Sequence, residues 1–488
     1  MNRILTSLIL GLGFITYGQS DEDIFNASKM YHEGSARFQA MGGAMGAMGA
    51  DASAIQINPA ANGRFSSSVF SISAGSNIPS ATANFMNETT KTVQSKFTIP
   101  AINMVITKDL SARNTGDMYS QFAFGFNRIS NFNQTMRISG QQFPSILESF
   151  MGQAVGIDPS NVYAMFPYST ALAYETYALD YDFNNNEYYS YLNSGDMAMN
   201  RIYNKSGGAN EWYLNYSRNY MNKLYWGISG ALRTYNFVQN FTHEEELTLT
   251  ENTPFRGFEY EYNLKTKGSG LNFKAGFIYL VNDRLRFGAS VHSPTFLTLK
   301  DTWSADMVTF FRDSTKTIDP QYKPAEGSNK YKLTTPVKVT GSVSYQIGTK
   351  ATINADVDWV AYSMGRLKGT KDPGYVFIDF KEENKVAQEY LKSAINFGIG
   401  GEYNINQRYF IRAGFNYYGS AYVKEQKVDD RPDLGYSGGL GYKKGNVAID
   451  LAYVSRSIRR TNYLFAGSNT ADTRLNANQV VVTFNLYF

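Results

Sequence analysis

Residues 34–63, GSARFQAMGGAMGAMGADASAIQINPAANG, form a glycine- and alanine-rich segment ahead of all strand-like regions of the chain. The segment carries too many glycines for a stable independent helix, because each glycine costs about 1 kcal/mol relative to alanine. Small residues at this density let one backbone lie tightly against another. The segment also lacks the Ser, Gln and Lys enrichment of a disordered linker. We therefore predict a plug packed within or against a surrounding structure, with a flexible glycine-rich linker as the alternative.

The amino terminus carries an export pattern. Arg3 supplies a positive charge, residues 4–15 form an apolar stretch, and residues 16–18 provide a small-x-small cleavage site. This pattern predicts a secretory signal peptide over residues 1–18. The chain contains no cysteine, so neither a lipoprotein anchor nor a disulfide framework is expected. We predict an envelope protein of a Gram-negative cell.

The composition favours an outer-membrane barrel. The 488 residues include 36 Tyr and 33 Phe, and the mean hydropathy is −0.35. After the signal peptide no run approaches the roughly 18 apolar residues of a membrane-spanning helix. Many aromatic residues on a polar background are typical of transmembrane barrels, whose two interfaces carry aromatic girdles. The formal net charge of +4 is not gathered into a basic tract, so no nucleic-acid partner is expected. A large soluble β-protein such as a propeller is the alternative.

From residue 66 onward, apolar and polar residues alternate in segments separated by turn residues. Period-two alternation predicts β-strands. We count about fourteen, and bacterial single-chain barrels have an even number. The predicted strands cover residues 66–78, 95–108, 118–130, 209–220, 222–239, 258–281, 283–300, 330–347, 350–363, 390–404, 407–419, 433–443, 446–460 and 475–488.

Short and long connections alternate along this series. Outer-membrane barrels have short periplasmic turns and long extracellular loops, whereas a propeller or sandwich has no reason to keep this asymmetry. We therefore predict an all-β, 14-stranded antiparallel transmembrane barrel over residues 65–488, with a hatch (plug) over residues 19–64 on the periplasmic side. The long connections are residues 79–94, 131–208, 240–257, 301–329, 364–389, 420–432 and 461–474.

The alternation also assigns the two faces of each strand. In residues 350–360, Ile353, Val357 and Trp359 alternate with polar residues. A basic residue facing lipid at the midplane costs about 2–4 kcal/mol, so the polar sets face the lumen. In an open porin these charges would line water, whereas in a plugged barrel they would pair with each other and with the plug. The predicted lumen charges are Lys274, Arg286, Lys338, Asp356, Asp358, Glu402, Arg412 and Asp450.

The long loop 131–208 departs from the strand pattern. Its apolar residues recur at helical spacing and must bury against another loop or a ligand. We predict helices that cap the barrel mouth and form a hydrophobic capture groove, with simple loop–loop packing as the alternative. The residues concerned are Ile146, Leu147, Phe150, Met151, Ala154 and Phe166.

Several stretches together resemble a known family. Asn58–Gly63 (NPAANG) follows the glycine-rich segment, Arg286–Pro294 lies on a mid-chain strand, and Pro336–Tyr345 precedes Ala355–Ser363. Near the carboxyl end, Arg412–Asn416 comes before Asp430–Asp433 and Tyr436–Tyr442. The order is similar to that of the FadL family of outer-membrane transporters for long-chain fatty acids and other hydrophobic compounds, over nearly the whole mature chain.

The resemblance implies a monomeric barrel closed from the periplasm by a hatch that includes Asn58, Pro59 and Ala60. It also implies an external hydrophobic groove, a deeper apolar pocket, and an inward kink in the third strand that opens a side passage to the membrane. Gly125 is the candidate for this kink, with ordinary close strand packing as the alternative.

The expected partners are a long-chain fatty acid or another hydrophobic molecule and outer-membrane lipid. Movement of Phe38 or Met41, beside Gly42 and Gly43 of the hatch, would create or erase a pocket. We expect passive transfer without an enzyme activity, because no phosphate-binding loop or nucleophile elbow is present. The rival function is a FadL-like docking component of protein secretion.

No cofactor and no metal are expected. Asp180–Asn186 begins like a calcium loop but lacks the central glycine and the final glutamate, with Tyr191 at that position. The three histidines are scattered without metal-ligand spacing.

Overall fold

The structure is a computed structural model that describes residues 20–113, 115–142, 144–190, 192, 197–248, 254–311, 323–375, 377–423 and 431–488. The predicted signal peptide lies outside the described residues, as do Tyr191 and Asp430. Within the described part of the chain, no helix is long and apolar enough to cross a bilayer.

The strands form one antiparallel sheet that closes on itself. The first segment pairs with the last, from Val69 opposite Tyr487 to Asn84 opposite Asp472. The sheet has 19 segments. Where two successive segments pair with the same neighbouring strand, they are interrupted parts of one strand of the barrel wall. The result is a closed 14-stranded barrel, which confirms the predicted fold class. The segments are β1 (Val69–Phe85), β2 (Glu88–Val93), β3 (Lys96–Asp109), β4 (Asp117–Asn131), β5 (Gln134–Gln142), β8 (Met197–Tyr220), β9 (Leu224–Leu247), β10 (Phe255–Leu280), β11 (Leu285–His292), β12 (Phe296–Phe311), β13 (Gly327–Thr334), β14 (Lys338–Ile347), β15 (Ala351–Ala361), β16 (Arg366–Gly369), β17 (Ser393–Asn404), β18 (Tyr409–Tyr418), β19 (Asp433–Lys444), β20 (Val447–Tyr463) and β21 (Thr470–Tyr487), and β6 (Leu179–Asp182) and β7 (Glu187–Ser190) form a separate hairpin.

Two predicted loops are largely strand. β1 continues to Phe85 and pairs with β2, and β9 continues to Leu247 opposite β10. The loops predicted over residues 79–94 and 240–257 were therefore wrong in extent. Beyond the bilayer the outer face of a strand contacts water and can be polar, so the pattern of lipid-facing apolar residues ends while the backbone ladder continues.

Some predicted strands are interrupted. Residues 293–295 separate β11 from β12, and residues 335–337 separate β13 from β14. Each gap contains a proline, Pro294 or Pro336, which has no N–H to donate to a ladder. Both wall strands are therefore interrupted at one level of the barrel, where the Thr335 amide donates to the Thr295 carbonyl at 3.1 Å.

The outer face of the barrel wall is apolar and the inner face is polar, as contact with lipid and with the lumen requires. On β15, Ile353, Val357 and Trp359 are 49, 49 and 43% exposed, whereas Asp356 and Asp358 are 6% exposed. The apolar set contacts lipid and the acidic set faces the lumen.

The glycine-rich segment fills the lumen. It contains helix α2 (Ala36–Ala40) and two 3-10 turns, Ala52–Gln56 and Pro59–Arg64, and helix α1 (Ser20–Ser28) precedes it. Ser35 accepts a hydrogen bond from the Phe38 amide and begins α2. Residues 33–63 are almost all buried, so this segment, here called the plug, forms a core within the barrel.

Wall glycines make room for the plug backbone. A Cβ at Gly400 would lie 2.2 Å from the Met41 carbonyl oxygen, and one at Gly414 would lie 2.3 Å from the Gly42 amide nitrogen. Lipid-facing Gly341 has nothing within 4 Å of a Cβ. Any larger residue at the two inner positions would push the plug away.

Helices cover the mouth at the end of the long loops. They are α3 (Ile146–Gln153), α4 (Pro159–Met165), α5 (Thr170–Glu175) and α6 (Lys381–Tyr390). The opposite end carries short turns, such as residues 348–350 and 445–446. This asymmetry places the short turns in the periplasm.

Candidate ligand-binding site

A pocket of about 500 Å³ lies at the barrel mouth. It is enclosed by helix α3, the upper parts of β8, β9 and β10, and residues 464–466. Aromatic side chains dominate its walls, and they suit a hydrophobic ligand. The aromatic residues are Phe150, Tyr203, Phe241, Tyr260, Tyr262 and Phe465.

Helix α3 is held over this pocket by its amino-terminal cap. The Ser145 hydroxyl accepts a hydrogen bond from the Leu147 amide at 3.0 Å. On β9, the Glu245 carboxylate accepts the Ser145 hydroxyl and, at 2.9 Å, the Ile146 amide. The Ile146 and Leu147 amides therefore both have acceptors, and the bond between Ser145 and Glu245 fixes the start of the helix to the wall.

One buried cation lines the pocket. Arg201 is 2% exposed, and its Nε donates to His243 Nδ1 at 3.0 Å. Its Nη1 donates to the Tyr203 hydroxyl at 3.1 Å and to the Leu464 carbonyl. Its Nη2 has no partner among the described residues. The guanidinium lies 4.6 Å from the centroid of the Phe241 ring, within cation–π range.

The sequence interpretation missed Arg201 because it placed residues 131–208 in a loop. β8 begins at Met197, and Met197, Met199 and Arg201 are buried while Ala198 is exposed. That alternation was the signal that could have extended the predicted strand upward.

The predicted loop residues do not all meet at the pocket. Ile146 and Phe150 line it. Leu147 is buried on the wall side of α3 in a cluster with Phe255 and Phe258. Met151 packs at the edge of this cluster and of a second one, which contains the remaining predicted residues Ala154 and Phe166.

Phe38 and Met41, the predicted gating residues, lie in the plug interior. Both are 0% exposed and pack with Met45 and Ile57. Beside them, Gly42 and Gly43 adopt φ values of +61° and +73°, in the left-handed region that glycine favours.

The Asn-Pro-Ala segment ties the plug to the wall. Asn58 Oδ1 accepts the Ala60 amide at 3.0 Å. Its Nδ2 donates to the Gly46 carbonyl at 2.8 Å and to the Phe277 carbonyl of β10 at 3.0 Å. The Pro59 carbonyl accepts from Asn215 of β8 at 3.1 Å. These bonds fix residues 58–60 against β8 and β10, the two wall strands that flank β9.

Lumen charges pair with the plug. Glu402 accepts Arg37 Nε and Nη2 at 2.9 and 3.0 Å and Arg412 Nε at 2.6 Å. Arg412 also donates to Asp450 at 2.7 Å. A buried network of two arginines and two carboxylates therefore joins the plug to β17, β18 and β20.

The other predicted lumen charges have separate roles. Lys338 and Asp358 form an ion pair at 3.5 Å, and Asp356 accepts the Gly46 amide at 3.0 Å. Lys274 pairs with Glu211, which also pairs with Arg233 at 2.9 Å. Arg286 contributes a buried Nε without a partner among the described residues.

Burial also acts on titratable groups in the plug and directly before it. It lowers the pKa of His32 to about 4 and raises the pKa values of Glu33 and Asp51 above their ordinary range. His32 Nδ1 lies 3.2 Å from the Tyr418 hydroxyl. A neutral imidazole therefore fits this position at neutral pH.

The third wall strand is interrupted. The ladder between β3 and β4 ends where Ala101 pairs with Asn127, and residues 132–133 separate β4 from β5. Side-chain contacts bridge the gap: Arg128 Nη1 donates to Thr98 Oγ1 at 2.8 Å, and Lys96 Nζ donates to Asn133 Oδ1 at 3.0 Å. We call this region the wall break.

Gly125 lies below the wall break. It pairs in regular register with Asn103 on one side and Tyr213 on the other, and the register shift falls between Arg128 and Ser130. The kink predicted at Gly125 is therefore misplaced. A Cβ at Gly125 would lie 2.3 Å from Asn103 Oδ1, so close strand packing explains this glycine.

The segment predicted as a partial calcium loop forms the turn of hairpin β6–β7. Asp182 accepts hydrogen bonds from the Asn184 amide at 2.8 Å and the Asn185 side chain at 2.7 Å. Its carboxylate oxygens thus serve the turn.

A closed barrel with an inner plug, an aromatic mouth pocket and an interrupted wall defines the class of plugged outer-membrane transport barrels. A family profile described as outer membrane protein transport protein (OMPP1/FadL/TodX) matches residues 219–484, which is more than half of the chain. The chain belongs to this family, and its location is the outer membrane. The resemblance found in the sequence is confirmed, as is the prediction that the chain is not an enzyme.

Individual relatives are distant. The predicted outer membrane protein NMB0088 of Neisseria meningitidis serogroup B is 24% identical over 216 residues, which is 42% of this chain and 46% of that protein. The chain thus matches about half the length of this curated relative. A FadL homologue of Pseudomonas aeruginosa superposes with a TM-score of 0.54 at 13% identity, covering 94% of this chain and 99% of that one. The Pseudomonas putida toluene transporter TodX gives 0.53 at 12% identity, covering 94 and 100%. These likenesses show the fold.

Proposed function

We propose that this protein captures long-chain fatty acids or similar hydrophobic molecules at the mouth pocket and passes them passively into the membrane through the wall break. The observation that carries the proposal is Arg201, a buried cation whose Nη2 has no partner among the described residues, in an aromatic pocket. Arg201 reaches a carboxylate only indirectly, because its partner His243 lies 2.8 Å from Glu245 Oε1 through Nε2. A buried charge without a counter-ion in direct contact is costly. A ligand carboxylate bound to Nη2 would supply this counter-ion, while the hydrocarbon chain of the ligand lies against the aromatic rings of the pocket.

The same feature favours an acid over a neutral hydrocarbon. TodX, a structural relative, is a toluene transporter, and toluene has no group for Nη2. A hydrogen bond to a charged group contributes about 1.5–3 kcal/mol, which corresponds to roughly 10- to 150-fold in affinity.

An apolar region continues below the pocket. On the inner face of β9, Phe241 lies in the pocket. Further towards the plug, Tyr235 belongs to a buried hydrophobic cluster, and Phe237 packs against this cluster. Ile24 and Phe25 of α1 fill the centre of that cluster and are 0 and 7% exposed. Displacement of α1 would free a site for a hydrocarbon chain.

This cluster reaches the wall break. Phe132, between β4 and β5, packs against it and lies 5.4 Å from Tyr235, centroid to centroid. A ligand there would stand beside the gap bridged by Arg128 and Thr98. Each buried CH₂ contributes about 0.8 kcal/mol, so a side exit to lipid avoids the cost of returning the chain to water. The plug would keep the downward route closed as a hatch.

A binding experiment tests the capture step. Full-length protein in nanodiscs is titrated with radiolabelled palmitate and 1-hexadecanol, with empty nanodiscs subtracted. We expect palmitate to bind at least tenfold more tightly, and Arg201→Gln to remove the difference by weakening palmitate alone. Arg256→Gln changes an exposed arginine at the same end and should leave both affinities unchanged. Equal affinities in the wild type would contradict the proposed role of Arg201.

A cross-linking experiment tests the exit. Because the chain lacks cysteine, Thr98→Cys/Arg128→Cys can be joined selectively by a short bismaleimide. We expect the linked protein to bind palmitate but to deliver it to liposomes at least tenfold more slowly. Ser76→Cys/Ser95→Cys, whose native hydroxyls lie 3.0 Å apart, is the linked control. Unchanged delivery would place the exit elsewhere, and a stable protein complex without palmitate binding or uptake would favour the docking role in secretion.

A further inference from the structure

Four exposed basic residues follow one another around the outside of the barrel at the long-loop end. In the strand register Arg459 lies opposite Arg474, Arg474 opposite Thr82, and Thr82 opposite Lys91. Arg137 lies on the next segment, β5, and its carbonyl accepts a hydrogen bond from β2. All four cations are exposed. We call Arg459, Arg474, Lys91 and Arg137 the basic row.

The basic row faces outward. Residues directly opposite in an antiparallel pair share a face, and Arg459 continues the outer face of β20 above Leu451 and Tyr453. These two residues are 44 and 52% exposed and lie on the lipid side. From Tyr453 to Arg459 a strand tilted by about 45° rises about 14 Å along the membrane normal. The row therefore lies above the acyl chains of the outer leaflet.

Like charges in this register disfavour the fold. Arg459 and Arg474 are direct cross-strand partners, and such a pair is destabilising. Arg474 Nε donates to Ser457 Oγ at 3.2 Å and Arg137 Nε to Asn200 Oδ1 at 2.8 Å, so these acceptors are neutral. An anion from outside the chain would relieve the repulsion.

Within the described part of the chain, two carboxylates lie beside the basic row, and a third, Glu244, is linked to Arg137 through Asn200. Asp472 shares the outer face of β21 with Arg474, and its Oδ1 accepts Thr461 Oγ1 at 2.9 Å. Glu88 Oε2 accepts Ser139 Oγ at 2.9 Å. The four cations therefore keep a positive balance on this face.

A band of small polar residues separates the row from the lipid-facing surface. Ser457 lies opposite Asn476 and Asn476 opposite Ser80, and one step lower Ser455 lies opposite Asn478. Upward from the bilayer the outer face therefore presents apolar residues, then hydroxyl and amide groups, then cations. An anionic glycolipid presents acyl chains, sugar hydroxyls and phosphate or carboxylate groups in the same order.

Strands β9 and β10, which follow β8 in the sheet, carry the reverse charge at the same end of the barrel. On the outer face of β9 and β10, Glu244 lies directly opposite Glu259, and Glu246 and Glu261 lie on the same two strands. A uniformly basic rim would indicate general attraction to the membrane. The basic row therefore ends at β5, where Asn200 of β8 links Arg137 to Glu244, and an anionic partner is restricted to the β20–β21–β1–β2–β5 side.

We infer that the basic row, with the polar band beneath it, binds the phosphorylated saccharide of an outer-leaflet glycolipid. The acyl chains lie against the apolar face below, and the anionic groups bridge Arg459 and Arg474. Arginine suits this role because its planar guanidinium binds phosphate through two parallel hydrogen bonds. The site is separate from the mouth pocket and independent of what the barrel transports.

The test uses full-length protein in detergent, titrated with rough lipopolysaccharide and followed by native mass spectrometry. The compared lipid is the same lipopolysaccharide after chemical dephosphorylation, and inorganic phosphate is a third arm. The variant is Arg459→Gln/Arg474→Gln. The control is Arg408→Gln/Lys444→Gln, two exposed basic residues at the short-turn end with the same change in charge.

We expect the variant to bind lipopolysaccharide roughly 25-fold more weakly, at about fivefold per basic residue near an anionic lipid surface, and the control to match the wild type. Dephosphorylation should weaken wild-type binding similarly, and inorganic phosphate alone should not bind at millimolar concentration. Without lipid, the variant should melt at or above the wild-type temperature, because the like-charge pair is gone. Wild-type affinity in the variant, equal binding of the dephosphorylated lipid, tight binding of free phosphate, or a lower melting temperature would each overturn the inference.

Discussion

Replacing Glu402 by glutamine is the sharpest test of how the plug is held. Glu402 receives two hydrogen bonds from Arg37 of the plug and one from Arg412 of the wall. The side chains of Arg37, Glu402 and Arg412 are 19, 11 and 4% exposed. In the variant, Arg412 keeps the Asp450 carboxylate, whereas Arg37 loses its carboxylate partner and keeps the Ala50 carbonyl and at most a neutral amide oxygen at position 402. The loss therefore falls on the contact between plug and wall.

Removing one partner of a buried ion pair costs about 3–5 kcal/mol. Because Arg37 keeps a carbonyl and is partly exposed, we expect the lower end, about 3 kcal/mol. This corresponds to a roughly 150-fold larger population of displaced plug. The barrel ladder is untouched, so its own stability should change little.

Hydrogen–deuterium exchange with peptide-resolved mass spectrometry measures this population. Exchange in residues 34–63 should accelerate about 100-fold in Glu402→Gln, with little change in wall peptides. Glu246→Gln disrupts an ion pair to Arg256 in which both side chains are more than half exposed, and it should have no effect on the plug. Acceleration of less than threefold, or equal acceleration in plug and wall, would refute the reasoning.

Three further predictions address the plug and the wall break. Gly400→Ala should weaken plug seating by about 1–3 kcal/mol through overpacking, whereas lipid-facing Gly341→Ala should not, as judged by plug exchange; equal effects would refute the close-contact argument. Because the pKa of His32 is lowered to about 4, seating should lose stability as pH falls from 6.5 towards 4, since a displaced plug binds the proton more readily. From pH 7 to 5, after correction for intrinsic exchange, protonation of His32 alone should raise plug opening roughly 20-fold, and the raised pKa values of Glu33 and Asp51 oppose this rise. Opening should therefore increase more in the wild type than in His32→Gln; an equal change in both would contradict the assignment. Arg128→Ala, which removes the bond to Thr98, should speed palmitate delivery to liposomes about two- to fivefold without changing binding, and slower delivery would argue against the wall break as exit.

The barrel was predictable because lipid penalises polar groups on one face of every strand. Trp359 and Asp358 could be assigned to opposite faces from their order alone. Beyond the bilayer this constraint ends, and the upper parts of β1 and β9 were interpreted as loops. Arg201 was not recognised for the same reason, since it lies beyond the bilayer and β8 was predicted to begin only at residue 209.

For helix α3 and the plug, too, some features follow from the local sequence pattern and others do not. Helical spacing predicted that Ile146 and Phe150 would share a surface, and both line the pocket. Spacing cannot tell which apolar residue faces a pocket and which, like Leu147, faces a wall. The pairing of Glu402 with Arg37 joins residues far apart in the sequence, so it depends on the closed barrel and not on any local pattern.

The seam between the first and last strands has a consequence for assembly. The Ala36 amide donates to Thr483 Oγ1 at 2.7 Å, and the Ala40 carbonyl accepts from Ser437 at 3.0 Å. Part of the surface that binds the amino-terminal segment thus lies on the strands that close the barrel. The segment can be fully bound only after these strands have paired, so docking of the segment and joining of the seam belong to one late step of folding.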